Sequence, residues 1–170
     1  MTAPLPTDYI VTMAAYNAWM NGKFYGLCAG LSDAQRKQDR GAFFRSIHGT
    51  LNHLLYGDLA WLGRFKDGAP RVARADEILH DDFDSLRRAR GQLDDEIQSW
   101  AKTVDAHWLA APFPYRSLIT GQEAERPAWL LVTHMFNHQT HHRGQLSTLL
   151  TQCGLDIGVT DLAAMPLSSR

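Results

Sequence analysis

The sequence predicts an all-α protein, a four-helix bundle, and three observations support this prediction. Four long segments repeat apolar residues at spacings of three and four, which is the period of one buried helix face. Strand signal is weak and is confined to a short stretch between the third and fourth segments. The 170 residues are the usual size of one domain, and 45% of them are hydrophobic, enough to bury a core. We therefore interpret residues 1–170 as one bundle domain.

The first helix is predicted from about Asp8 to Leu31, with Thr7 as its cap. Its apolar face is formed by Tyr9, Met13, Tyr16, Met20, Phe24 and Leu27. Small residues spaced four apart run along the same helix: Gly22, Gly26 and Gly30. This ridge fits either close packing against another helix or subunit, or a weak helix end, and the residue types do not decide between them. Ser32 and Gln35 then fit a capping box that opens a short helical turn.

The second helix is predicted from about Gly41 to Phe65 and the third from about Asp82 to Leu109. The segment between them, "KDGAPRVARADEILHDD", contains Gly and Pro and has no sustained period, so it is predicted to be a loop. The apolar stripe of the second helix includes Phe43, Phe44, Ile47, Leu51, Leu54, Trp61, Leu62 and Phe65. We assign the tryptophans of these helices and of the next one to the core: Trp61, Trp100, Trp108 and Trp129.

The fourth helix is predicted to begin at Pro127, because proline is favoured at the first helical position, and to end near Cys153 before Gly154. The segment before it, "APFPYRSLITGQEAER", breaks the helical pattern with two prolines and a glycine. Residues Tyr115–Thr120 within it are predicted to form either a short hairpin or a long irregular loop. A bundle with a long connection before its fourth helix is therefore expected.

Histidine is concentrated in the fourth helix, where four of the chain's eight histidines lie between His134 and His142. His138 and His142 are four residues apart, so they lie about 40° from each other on a helix that turns about 100° per residue. Both fall in the middle of the apolar stripe. Two imidazoles stacked one turn apart can bind one divalent cation. For the pair alone, two hydrogen-bonded core histidines are an equally good interpretation.

A metal site needs a further ligand, and the second helix offers two histidines, His48 and His53. The helical wheel places neither of them clearly on the apolar stripe, so periodicity leaves the choice open. His53 shares its face with small residues, namely Ala42, Ser46, Thr50, Gly57 and Ala60. Such a face allows another helix to approach closely, or a pocket to open.

Other polar residues near these positions have two interpretations each. His134 and Asn17 are placed where they can line or contact the site, and His141 lies to one side of the ligand pair. Asp58 is expected to pair with Arg143 or with the second ring nitrogen of a ligand histidine. For each of them, the alternative is an ordinary hydrogen-bonded polar group.

Composition argues against several classes of function. The net charge of −1 provides no electrostatic surface for nucleic acid. No apolar stretch approaches about 18 residues, so no membrane span is expected. The start "MTAPLPTDYI" lacks the pattern of a signal peptide, and two cysteines without a spaced framework suit a reducing compartment. We therefore expect a cytoplasmic protein that binds neither nucleic acid nor membrane.

Two stretches, "GAFFRSIHGTLNHLLYGDLAWLGRF" and "HMFNHQTHHRGQLSTLL", resemble the DinB family, the damage-inducible metalloprotein family that is unrelated to the DNA polymerase of the same name. The resemblance covers nearly the whole chain. It implies a four-helix bundle, often dimeric, with a divalent metal held by three histidines. Carried over to this sequence, these are His53, His138 and His142. The resemblance therefore favours His53 over His48, a choice that the helical wheel leaves open.

Three imidazole ligands would leave one coordination position open, which is the pattern of a catalytic rather than a structural metal site. The superfamily that this resemblance implies includes thiol-dependent S-transferases and a thiol-dependent isomerase. Many of its DinB-named members have no assigned reaction. We expect zinc or nickel, with iron as an alternative, a small-molecule substrate, and a low-molecular-weight thiol as a possible second cofactor. A homodimer is expected. The alternative is a non-catalytic metal-binding or ligand-sensing module of the stress response.

Overall fold

A computed structural model describes residues 6–74 and 77–166 and confirms the prediction of an all-α bundle. Part of the start used in the signal-peptide argument, and both ends of the predicted domain, lie outside the described residues. The elements, in chain order, are α1 (Thr7–Ala29), α2 (Asp33–Lys37), α3 (Ile47–Asp67), α4 (Phe83–Ala101), α5 (Ala106–Ala110), β1 (Pro112–Arg116), β2 (Glu123–Pro127) and α6 (Ala128–Thr151), followed by a 3₁₀ turn at Leu162–Ala164.

The four long helices bury their apolar faces against one another in a ring. Helix α1 packs against α4 and α6, and α3 packs against α4 and α6. The largest apolar side chains that this arrangement removes from water include Ile10, Met20, Phe24, Leu51, Ile97 and Phe136. Because α3 and α6 are neighbours in the ring, the histidines of the second and fourth predicted helices face the same space. Among the described residues, no helix is long and apolar enough to cross a membrane.

The first helix begins one residue earlier than predicted, and its cap is Pro6 rather than Thr7, which lies inside the helix. The capping box of Ser32 and Gln35 is confirmed, with both reciprocal hydrogen bonds present. Gly22 and Gly26 are exposed, and no described atom outside their own turn of helix lies within 4 Å of a β-carbon built at either position. The ridge therefore does not pack closely against another helix of this chain, and packing against a second subunit stays a prediction.

The prediction that the second long helix begins at Gly41 is wrong, because α3 begins at Ile47. Gly41 has a φ of 69° and Arg45 a φ of 66°, and these positive angles turn the chain tightly before the helix starts. The hydroxyl of Ser46 then caps α3 by accepting a hydrogen bond from the backbone N–H three residues on, at 3.0 Å. Phe44 is consequently in the turn rather than on the helix stripe, and its ring is free to lie over the helix.

The prediction of one continuous third helix from Asp82 to Leu109 is also wrong. Helix α4 ends at Ala101 and α5 begins at Ala106. Asp105 caps α5, because its side chain accepts a hydrogen bond from the backbone N–H of Trp108 at 2.8 Å. Thr103 and Asp105 are residues whose side chains compete with helical hydrogen bonds, which explains the break. The break lets Trp108 meet the ring of Phe65 edge to face, while Trp100 stacks on that ring.

The connection before the last helix contains the short hairpin that was one of the two predicted forms. Strands β1 and β2 pair antiparallel, from Pro112 opposite Pro127 to Arg116 opposite Glu123. Pro127 is the cap of α6 rather than its first residue, and Gly154, with a φ of 74°, follows its end. The loop of the hairpin lies beside α3 and α6, so it forms one wall of the cleft described below.

Candidate metal centre

The structure brings together the three histidines that the sequence analysis selected. His138 and His142 lie one turn apart on α6, and His53 faces them from α3. One ring nitrogen of each lies within 4.8 Å of the others, and Nε2 of His53 is 3.0 Å from Nε2 of His138. Within the described residues, this is the set of side chains that could hold a metal ion. That they are ligands stays a prediction.

The donor set fits a divalent cation. Two imidazole nitrogens bound to one tetrahedral zinc, each at about 2.1 Å, lie about 3.4 Å apart, close to the separation of the Nε2 atoms of His53 and His138. All three rings are largely removed from water, with His53 8% and His142 9% exposed. Burial of three imidazoles with their nitrogens converging would be costly without a shared partner. The arrangement is therefore one that a cation would stabilise.

Burial keeps the rings of His138 and His142 neutral, as ligation requires. Burial lowers the pKa of His138 to about 3, and positive charge on His142 or His53 would lower it further. Burial also lowers the pKa of His142, although its hydrogen bond with Gln145 opposes this shift. At neutral pH the rings of His138 and His142 therefore each have one nitrogen with a lone pair available.

Gln145 determines which nitrogen of His142 is available. Nδ1 of His142 donates to Oε1 of Gln145 at 2.8 Å, and the Gln145 amide donates to Nε2 of His141 at 3.4 Å. This orientation keeps the proton of His142 on Nδ1 and leaves Nε2 free for a metal. The sequence analysis did not assign Gln145 a role, although its position three residues after a proposed ligand was the available signal.

The ring of Phe44 covers His53, the histidine contributed by α3. Its ring stacks on His53 with centroids 3.7 Å apart, and it meets the ring of His142 edge to face with centroids 5.3 Å apart. Tyr56 stacks on His53 at 5.8 Å. The sequence analysis missed this role because it placed Phe44 on the stripe of α3, whereas the turn at residues 41–46 carries it over the imidazole.

His48, the competitor of His53, has a different task. Its Nε2 donates to the backbone carbonyl of His80 at 2.8 Å, and Asn52 bonds the N–H and carbonyl of the same residue. These contacts fasten the loop before α4 to α3. His48 is 3% exposed and does not belong to the histidine cluster. The geometry thus separates two residues that the helical wheel left equivalent.

The hydrogen bonds of Asp58 and Asn17 join residues other than the three histidines, which supports the alternative of ordinary hydrogen-bonded polar groups. Oδ2 of Asp58 accepts from Arg90 at 2.8 Å and from Nδ2 of Asn17 at 3.3 Å. Arg90 also pairs with Asp94, at 2.9 Å. Arg143 donates to Oδ1 of Asn17 rather than pairing directly with Asp58. This network is buried between α1, α3, α4 and α6. It fixes the rotation of α6 next to His142, so it positions the histidines indirectly.

A cleft of about 280 Å³ opens beside the cluster, and His53 and His138 are among its lining residues. Its floor is the small-residue face of α3, where Gly57 and Ala60 leave room. Its walls are aromatic and apolar and are contributed by α3, α6 and the hairpin: Tyr56, Trp61, Tyr115, Leu118, Ile119 and His134. His53 also borders a second hollow of about 300 Å³ on the side of Phe44. The cluster is thus accessible to a small molecule.

One side chain of this cleft departs from its assigned place, whereas His134 takes one of its two predicted places. Trp61, assigned to the core, is only partly buried and meets the ring of His134 edge to face at 5.2 Å. His134 is therefore a wall of the cleft, and burial lowers its pKa. His141 is exposed and lies against the ring of His142 at 4.8 Å, outside the cluster.

Comparison with known proteins finds a matching family and a similar protein. The model of the DinB family matches residues 2–168 of the chain. The chain is also similar to the protein DinB of Bacillus subtilis (strain 168), with 23% identity over 161 residues that cover 91% of this chain and 92% of the relative. The family match includes α3 and α6, the two helices that carry the three histidines.

Proposed function

The chain belongs to the DinB family, and from this premise we propose that it is a metal-dependent enzyme acting on a small molecule, of the thiol-dependent S-transferase or hydrolase type. One observation carries the proposal: three histidines converge, and two of them, His53 and His138, line an open cleft. Zinc or nickel is the proposed metal, since imidazole suits both, and iron is the alternative. The three ligands are His53, His138 and His142.

When bound, the metal supplies a Lewis acid that lowers the pKa of a water or a thiol beside it. The chain's own residues would hold the metal and orient the histidines that bind it. Gln145 keeps the metal-facing nitrogen of His142 unprotonated, and Phe44 shields His53 from bulk water. Trp61, Tyr115 and His134 enclose the substrate next to the cluster, which excludes water from one side of the reacting centre.

A catalytic site is favoured over a purely structural one for two reasons. Three protein ligands leave room for an exchangeable one, whereas structural zinc sites are usually closed by four. The bundle also has a continuous apolar core and a buried polar network that do not depend on the histidines. A non-catalytic sensing module would use the same ligands, so exchange at the metal distinguishes the two functions.

The first experiment measures metal in protein purified without a histidine tag, by elemental analysis. We expect about one divalent ion per chain, and protein that binds no such ion stoichiometrically would refute the proposal. The protein is then loaded with cobalt, and azide or 2-mercaptoethanol is added while the visible spectrum is recorded. A changed spectrum indicates an exchangeable position, whereas an unchanged one indicates a closed site and favours the sensing module.

Turnover is measured in two parallel assays. One follows consumption of an electrophile in the presence of a low-molecular-weight thiol, and the other follows hydrolysis of an activated ester without thiol. Activity that disappears on chelation and returns with the metal supports the enzyme. The assay in which it appears separates transfer from hydrolysis. A variant of the exposed His107, such as His107→Ala, serves as a control that removes a histidine away from the cleft.

A further inference from the structure

Arg64 is a buried arginine in α3 without a carboxylate partner in the part of the chain that the structure describes. It is 6% exposed, and its guanidinium donates to the backbone carbonyls of Ala60 at 3.1 Å and Arg116 at 3.0 Å. It lies over the ring of Trp61 at 4.7 Å and near that of Tyr115 at 5.9 Å. By contrast, the buried Arg90 pairs with both Asp58 and Asp94.

The contacts of Arg64 leave both charge and donors in excess. Two neutral carbonyls use two of the five N–H groups of a guanidinium and cancel none of its formal charge. Burying a cation without a counterion is costly, and burial lowers the pKa of Arg64 accordingly. Fastening the hairpin to α3 explains the bond to Arg116, but a neutral donor would do this at lower cost.

Arg64 lies along the same face of α3 as His53. The two are eleven residues apart, which places them within about 20° of each other around the helix and roughly 16 Å apart along its axis. The hydrogen bond to Ala60, four residues earlier, shows that the Arg64 side chain runs back toward the histidines. Both residues line the same cleft, and the rise of the helix separates their backbone positions along it.

The lining between them is aromatic and includes no carboxylate among the described lining residues. Tyr56, Trp61 and Tyr115 supply aromatic surface, and Arg64 is the only formally charged side chain among the described lining residues. We propose that Arg64 binds the carboxylate of a planar organic acid whose other end reaches the three-histidine cluster. The inference deepens the proposed function and rests on it for the identity of the reacting end, but the carboxylate site stands on the contacts of Arg64 itself.

The test uses a matched pair of probes, naphthalene-2-carboxylate and naphthalene-2-carboxamide, which differ in charge but hardly in shape. Binding to the protein as purified is measured by isothermal titration calorimetry. We expect the carboxylate to bind at least about tenfold more tightly, because a charge-assisted, bidentate bond is stronger than a neutral one. In Arg64→Met this preference is expected to disappear. The control, Arg88→Met, loses the same charge from the exposed face of α4 and is expected to behave like wild type.

A second variant separates the guanidinium from the metal. In His53→Ala, which removes a proposed metal ligand, the preference for the carboxylate is expected to persist. If it disappears there and persists in Arg64→Met, the carboxylate binds the metal and the inference is overturned, while the metal proposal stands. Conversely, if the protein binds no metal but still prefers the carboxylate over the carboxamide, the proposed function has failed while the binding of the carboxylate by Arg64 is supported.

Circular dichroism melting of each variant checks that it folds. If Arg64→Met does not fold, Arg64→Lys decides. Lysine keeps the charge but not the planar fork, so carboxylate affinity is expected to fall about tenfold while carboxamide affinity stays the same. Unchanged carboxylate affinity in Arg64→Lys, or equal affinity of the two probes for wild type, would overturn the inference.

Discussion

A β-carbon at position 57 would lie 2.7 Å from Cε1 and 2.9 Å from Nδ1 of His138, so the imidazole occupies the space that any larger residue would need. Gly57 is one helical turn after His53 on α3, and His138 faces it from α6. The missing side chain therefore allows the histidines of two helices to converge. This close approach, rather than backbone freedom, is why position 57 requires glycine.

Gly57→Ala is expected to reduce metal affinity while the helices are retained. The added methyl group displaces the ring of His138, and we expect metal affinity to fall on the order of tenfold or more, by analogy with the loss of groups that orient a ligand. Metal competition with a chromogenic chelator measures it. The control is Gly91→Ala, an exposed helical glycine with open space around it, which should stabilise the fold by about 0.5–1 kcal/mol. Wild-type affinity in Gly57→Ala would show that the clash is absorbed elsewhere.

The ligand set is tested by removing each histidine. His53→Ala, His138→Ala and His142→Ala are each expected to lose stoichiometric metal, whereas His48→Ala keeps it, because His48 bonds the loop carbonyl of His80. Elemental analysis after purification measures occupancy. Because His48 is buried, its variant is instead expected to be less stable, with a free energy of unfolding lower by roughly 1–3 kcal/mol. Full occupancy in His53→Ala together with loss in His48→Ala would reverse the assignment.

Gln145→Ala is expected to weaken metal binding without abolishing it. The amide of Gln145 holds the proton of His142 on Nδ1, and loss of such a partner typically costs about 10–100-fold in metal affinity. Equilibrium dialysis against a metal buffer measures the change. Gln152→Ala, at the exposed end of α6, is the control. An unchanged affinity would mean that the orientation of His142 is maintained by packing alone.

The stability of the metal-free protein should decrease as pH falls. Burial lowers the pKa of His138 to about 3 in the folded state, whereas an unfolded histidine has a pKa of about 6.5. This contribution to stability is therefore fully present above about pH 6.5 and is lost as pH falls toward about 3. The loss amounts to roughly 2 kcal/mol at about pH 5. Chemical denaturation in the presence of a chelator, at several pH values, measures it. His138→Gln should flatten the dependence.

Metal adds to this effect because it competes with protons for the same nitrogens. We expect metal to remain bound at about pH 7.5 and to be released below about pH 6. With chelator at the higher pH, the chain should stay helical and only melt at a lower temperature, because its core does not depend on the histidines. Unfolding on chelation would indicate a structural metal and weaken the enzyme proposal.

A homodimer is expected, with the exposed glycine face of α1 in the interface. No described atom outside the local helix turn lies within 4 Å of a β-carbon at Gly22 or Gly26, so this face is open to a partner. Light scattering at micromolar concentration should indicate twice the chain mass of 19.1 kDa. Gly26→Arg should then shift the protein toward monomer, and Gly144→Arg on the exposed face of α6 should not. A monomeric wild-type protein would refute the prediction.

The sequence by itself determined the class of fold and the pair of histidines on one helix, His138 and His142, in the candidate site. Helical periods are local, so the four amphipathic segments could be recognised without knowing their partners. The pairing of His138 with His142 is equally local, since four residues make about one turn. The choice of His53 came from resemblance to the DinB family, because periodicity describes the face of one helix and says nothing of which helix it meets.

Only the tertiary structure decided what surrounds those histidines. Two residues with positive φ, Gly41 and Arg45, shorten α3 and place Phe44 over His53. The pairing of Asp58 with Arg90 and the meeting of Gly57 with His138 join different helices. Arg64 was not selected because burial of a charged side chain cannot be read from its own helix. The physical reason is common to these cases: turn conformation, interhelical contact and desolvation depend on residues distant in sequence, whereas amphipathic period and i,i+4 spacing do not.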